Sequence, residues 1–204
     1  MFDLACGVRL RGFRPPPAND LDDILTMYNN ADVAPLVSDA YPVPQGQKFL
    51  DKMKSAIESD VSEMFFMIET IPDTPEKDSD SPNKPEFVGF VSLWARGERG
   101  NRHSIFGISF MPKFWGKGYG TEVTKFVIKH AFVQLNMHRI SLQVYEGNER
   151  AIAVYKQVGF IQEGVMRKTR WSNGRWIDEI QMGILVDDWR KLQEESVHEE
   201  SSRE

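Results

Sequence analysis

A single cysteine, Cys6, stands in the 204 residues. That scarcity excludes an intramolecular disulfide framework and thiolate metal clusters, and it fits a reducing compartment. Long apolar runs are missing as well: none approaches the roughly 20 residues that span a bilayer. Arg9, Arg11 and Arg14 come too early for the apolar core of a secretory signal. The four histidines lack the paired spacing of a metal site. Positive charge is also short, since 25 Lys and Arg against 30 Asp and Glu leave a formal net charge of −5. A nucleic-acid-binding surface is therefore not the expected business of this chain. The absences together point to a cytoplasmic or nucleocytoplasmic protein with no metal, no membrane and no nucleic acid among its partners.

What is present is an ordinary globular composition, 41% hydrophobic and 27% charged. It is enough for one well-filled core, expected over residues 1–189. Val8, Arg9, Leu10 and Arg11 alternate apolar and basic, a first strand over 8–13 that ends at Pro15, Pro16 and Pro17. Asn19 or Asp20 is placed to cap a helix whose Leu21, Ile24, Leu25 and Tyr28 share a face. Residues 29–44 read as irregular, and a second helix over 45–59 spaces Phe49, Met53 and Ile57 four apart. Strands are expected at 64–69, 87–95, 104–111, 139–145, 161–171 and 176–185. The segment 71–86 holds Pro72, Pro75, Pro82 and Pro85 among polar residues and reads as a mobile hairpin insertion. A short helix over 187–192 and an acidic, disordered tail over 190–204 complete the expectation.

The chain is organised around residues 111–160. Gly116, Gly118 and Gly120 alternate in a turn that opens an amphipathic helix, with Val123, Phe126, Val127, Ala131 and Leu135 at helical spacing. Glycines at a helix N-terminus present N–H groups unobstructed by Cβ atoms, and the helix dipole adds partial positive charge at the same point. The result is a pyrophosphate cradle. Two familiar phosphate motifs are excluded. A dinucleotide fingerprint needs glycine at Thr121 or Val123, and a nucleotide-triphosphate loop needs Gly-Lys followed by Ser or Thr.

The turn Trp115-Gly116-Lys117-Gly118-Tyr119-Gly120, the Asn148 after the next strand, and Tyr155 with Gly159-Phe160 resemble the GNAT superfamily of N-acetyltransferases, in particular its ribosomal-protein N-terminal acetyltransferase branch. The likeness covers about residues 8–185. It implies an α/β fold: a twisted, mixed, mostly antiparallel sheet of about seven strands, flanked by helices, with a splayed strand pair at the cofactor. It also implies acetyl-coenzyme A as co-substrate. Trp115, Gly116, Lys117, Gly118, Tyr119, Gly120 and Thr121 would hold the pyrophosphate, backbone around Phe110 and Met111 the pantetheine, and Asn148 the pantetheine or a water. Tyr155 would protonate the departing thiolate. Trp115 is a departure, since many members carry Arg or Gln there, so the site leans on backbone donors with Lys113 and Lys117 nearest.

Amide formation needs a neutral amine. At pH 7.4 deprotonation costs roughly 4 kcal/mol for a lysine-like or polyamine nitrogen and under about 1 kcal/mol for an α-amine. Asp178 and Glu179, adjacent on a strand and so pointing to opposite faces, are the leading bases or amine-binding groups, ahead of Glu63 and Asp39. Tyr41 and Asp39 lie where the family builds an acceptor wall. Trp171 and Trp176 flank an Asn-Gly turn and mark a candidate acceptor or dimer surface. The expected activity is acetyl transfer by direct attack of a primary amine, a protein N-terminus or peptide-like amine first and a polyamine or other small amine second. A non-catalytic coenzyme A-binding module is the third reading, and a monomer or homodimer the expected assembly.

Overall fold

The computed structural model describes residues 1–37, 43–72 and 84–201. Tyr41, Asp39 and most of the expected 71–86 insertion lie outside them. Among the described residues the strands are β1 (Phe2–Asp3), β2 (Val8–Gly12), β3 (Ser62–Thr70), β4 (Phe87–Ala95), β5 (His103–Phe110), β6 (Arg139–Tyr145), β7 (Ile161–Ser172) and β8 (Arg175–Leu185). The helices are α1 (Asp20–Tyr28), α2 (Ala34–Val37), α3 (Gln47–Ile57), α4 (Tyr119–Val133), α5 (Glu149–Val158) and α6 (Val186–Ser201). The eight strands make one sheet in the order β1-β2-β3-β4-β5-β6-β8-β7. β1, two residues long, and α2, four residues inside the stretch expected to be irregular, are too short to leave a periodic trace.

The chain forms two compact units, Met1–Leu93 with Gly107–Val123, and Trp94–Phe106 with Thr124–Glu204. In the first, β2 pairs antiparallel with β1 and with β3. Val8, Leu10, Ile24, Met27, Met67, Ile68 and Val91 are fully buried there. The expected helix cap is corrected by the structure. Asn19 makes no side-chain capping bond. Asp20, 3% exposed, instead takes the Arg11 guanidinium on both carboxylate oxygens at 2.7 and 2.9 Å, and it accepts the Arg14 N–H at 2.8 Å. Glu69 holds the remaining edge of Arg11 at 2.6 Å. Planar guanidinium matches two carboxylates at once, which offsets the cost of taking these charges out of water.

In the second unit β5 pairs parallel with β6, and that ladder covers only His103, Ser104 and Ile105, although both strands run on. β6 and β7 each pair antiparallel with β8. Asn173 and Gly174 take left-handed φ values of 48° and 78°, the conformation an Asn-Gly hairpin turn requires. Trp171 and Trp176 meet edge to face across it at 5.5 Å and stay 49% and 53% exposed. The expected disordered tail differs most: α6 continues from Val186 to Ser201. Trp189 packs on Phe132 at 5.6 Å, and Leu192 lies against the position of Gly159. Asp187 and Asp188 in its first turn complement the helix dipole.

Candidate active site

The glycine turn belongs to the first unit. β5 ends at Phe110, and Pro112–Phe114 form a single 3₁₀ turn with proline where no N–H is needed. Trp115 donates its indole Nε1–H to the Phe110 carbonyl at 2.9 Å, stitching the turn to the strand end. The Met111 N–H donates to the Val88 carbonyl at 2.9 Å, and the Met111 carbonyl accepts from the Phe114 N–H at 3.0 Å. Beneath the turn Phe114 is buried, with the Lys113 and Lys117 amines 4.9 and 5.2 Å from its ring centre. Lys113 also pairs with Glu86 at 2.7 Å, so Lys117 is the cation less committed elsewhere.

Gly116 and Gly118 adopt φ of 74° and 80°, and no atom lies within 4 Å of where a Cβ would stand. Among the described residues no hydrogen bond occupies the N–H groups of Gly116, Lys117 or Gly118. The Gly118 carbonyl already accepts from Thr121 and Glu122, closing the first turn of α4. Open space, unoccupied donors and a 15-residue helix starting at Tyr119 together fit a pyrophosphate. One further pair fixes the approach to this turn. A Cβ on Gly89 would fall 2.0 Å from the Ser109 carbonyl, and one on Gly107 would fall 3.0 Å from Ser92 Oγ. β4 and β5 therefore approach too closely for side chains at these places.

The tyrosine expected to protonate the thiolate, Tyr155, belongs to the second unit. Asn148 caps α5, its Oδ1 accepting from the Ala151 N–H at 3.4 Å. Ile152, Tyr155 and Val158 form the buried stripe of that helix. The Tyr155 ring meets Phe106 at 6.1 Å and Phe160 at 5.8 Å, both edge to face, and the residue is 7% exposed. Burial pushes its phenol above the ordinary value, so the hydroxyl is protonated throughout the neutral range. Gly159, with φ of 107°, ends the helix, and Phe160 donates its N–H back to the Tyr155 carbonyl at 2.9 Å. The Gly-Phe pair after Tyr155 is thus the stop signal that folds Phe160 onto the tyrosine.

A family model described as an acetyltransferase (GNAT) domain matches residues 10–161. The chain belongs to the GNAT acetyltransferases. The spermidine N(1)-acetyltransferase of Escherichia coli K12 is 33% identical to it over 85 residues, 42% of this chain and 46% of that protein. A putative ribosomal N-acetyltransferase of Bacillus subtilis, YdaF, is 32% identical over 89 residues, 44% of this chain and 49% of that protein. The chain thus spans about half the length of the curated relatives it matches. A crystal structure of the Vibrio cholerae spermidine N-acetyltransferase in complex with CoA and spermine superposes with a TM-score of 0.74 at 23% identity, covering 90% of this chain and 98% of that one. Its likeness is one of fold.

The GNAT chain gathers Phe110, Met111 and residues 115–121 into one turn of the first unit, while Asn148, Tyr155, Asp178 and Glu179 belong to the second. The two acidic candidates part company. Asp178 accepts the Lys168 N–H at 2.9 Å and donates its own N–H to Glu146 at 3.0 Å, so it holds the irregular stretch of β7 against β8. Glu179 sits opposite Tyr145 in register, with its Oε1 buried. Glu146, which the sequence reading passes over, takes the Asp178 N–H and the Arg175 guanidinium. Those two donors hold its carboxyl below the usual range. Its place between a strand and Gly147-Asn148 was the available signal.

Proposed function

We propose that this protein is an acetyl-coenzyme A-dependent N-acetyltransferase acting on a small primary amine of the polyamine class. The observation that carries the reading is the turn at residues 116–118, whose N–H groups and left-handed glycines face open space at the start of α4. Acetyl-coenzyme A supplies the activated acyl group as a thioester. The chain's own residues then have three tasks. The N–H groups of Gly116, Lys117 and Gly118, with Lys117, bind the pyrophosphate. Asn148 and the Phe110–Met111 backbone orient the pantetheine arm. Tyr155 keeps a proton at its Oη and gives it to the sulfur when the amine nitrogen bonds to the carbonyl carbon and the carbon–sulfur bond breaks.

The acceptor is argued from charge and kinship. A polyamine is a polycation, and the chain carries a net charge of −5. The similarity to the spermidine N(1)-acetyltransferase favours this class over the protein N-terminus expected from sequence. Such an amine is protonated at neutral pH, and removing its proton costs roughly 4 kcal/mol. A carboxylate or a water relay is therefore required, and Glu179, whose Oε1 is buried on β8, is the first candidate. A protein α-amine is the second reading, favoured by the similarity to the putative ribosomal enzyme.

The test is thiol release from acetyl-coenzyme A with spermidine, spermine and short α-amino peptides. Turnover of the polyamines above the peptides is expected. Peptide turnover with inert spermidine would transfer the assignment to the second reading. No thiol release with any amine, in a protein that coenzyme A stabilises against heat, would leave a binding module.

A further inference from the structure

The second unit carries its helices on one face of its strands. Along β6, Ile140, Leu142 and Val144 are buried and alternate with Arg139, Ser141 and Gln143. Ile184 lies opposite Ile140 in register. It touches the position of Gly159 at the end of α5, as does Leu192 of α6. The apolar set is therefore the helix-covered one, and Arg139, Ser141 and Gln143 point the other way.

On that other face the polar residues converge. A pocket of about 210 Å³ is lined by Arg96, His103, Arg139, Ser141, Glu163 and Gln181, among others. The volume suits a ligand smaller than the drug-sized ones whose sites start near about 300 Å³. His103 Nε2 lies 2.8 Å from Ser141 Oγ. The Arg96 N–H donates to the His103 carbonyl at 2.9 Å, which fixes the start of the Arg96 side chain beside the imidazole. Arg139 pairs with Glu163 directly above Gly183, where a Cβ would fall within 2.8 Å of both partners. Glycine at that point makes room for the pair.

The pocket has two guanidiniums against one carboxylate. Among the described residues Arg96 forms no ion pair, and Arg139 retains donors beyond those that Glu163 uses. His103 is held below the ordinary imidazole range by burial and then by Arg139 and Arg96, so it adds no competing charge near pH 7. A guanidinium fork matches the geometry of phosphoryl and carboxylate oxygens, and a partly enclosed site strengthens the match.

We propose that this pocket binds a small oxyanion, a phosphoryl or carboxylate group on a compact molecule, gripped by Arg96 and Arg139 and oriented by the Ser141 hydroxyl. The site does not depend on the acetyl-transfer reading. The full chain, with coenzyme A added in excess, is titrated separately with inorganic phosphate, succinate and chloride while the His103 imidazole resonances are followed by NMR. Phosphate or succinate should raise the His103 midpoint saturably at about millimolar concentration, and the stronger of the two identifies the source. Arg96→Gln should weaken that response about ten-fold. Ser141→Ala should weaken it less and serves if the first variant is unstable. An equal response to chloride, no response to either oxyanion, or a response unchanged in both variants overturns the site.

Discussion

The Tyr155 phenol sits among the Phe106 and Phe160 rings, and its place in that packing is filled equally well by a phenylalanine. Stability and chemistry therefore separate at this residue. Tyr155→Phe should leave the melting temperature and coenzyme A affinity close to the parent's while kcat falls about 10²-fold, the usual scale for losing a general acid. A parallel loss of coenzyme A affinity would make the residue structural. Tyr155 was readable from its spacing after Asn148 and before Gly159-Phe160. Glu179 and Asp178 were not separable in the same way. Alternation says only that adjacent strand residues point apart, while the Lys168 and Glu146 hydrogen bonds that occupy Asp178 depend on a register irregularity with no sequence mark.

Among the elements, α6 departs furthest from expectation. Its acidic, serine-containing sequence is strongly polar, and the helix draws support from tertiary contacts at Trp189 and Leu192, which local composition does not reveal. The contact at Gly159 makes this testable. A methyl there would meet Leu192 Cδ1 at 2.4 Å, in a backbone conformation with φ of 107°. Gly159→Ala should destabilise the fold by about 1–3 kcal/mol, measured by urea unfolding, and Leu192→Ala in the same chain should return part of the loss. No recovery would mean that backbone strain alone accounts for the cost. The strands and α4, by contrast, follow closely from alternation and 3.6-residue spacing, because each buries one face against a core.

For the whole molecule, two histidines set a pH response. Burial holds His103 and His130 below the ordinary imidazole value, with Arg139 and Arg96 adding to the effect at His103. A depressed folded-state value means that the unfolded chain takes up protons first. Their contribution is then fully present above about pH 6.5 and is lost as pH falls through the folded-state values. Urea midpoints should drop between pH 7.5 and 5.5, and His103→Gln with His130→Gln should flatten that slope. An unchanged slope in the double variant would refute the assignment.

Membership of the two units alternates along the chain: residues 1–93, then 94–106, then 107–123, then 124 onward. No single cut in the gene separates them. A crossover at any one point hands each daughter an incomplete unit, so this fold is inherited and exchanged as one cassette, and neither half is open to shuffling as a free-standing module.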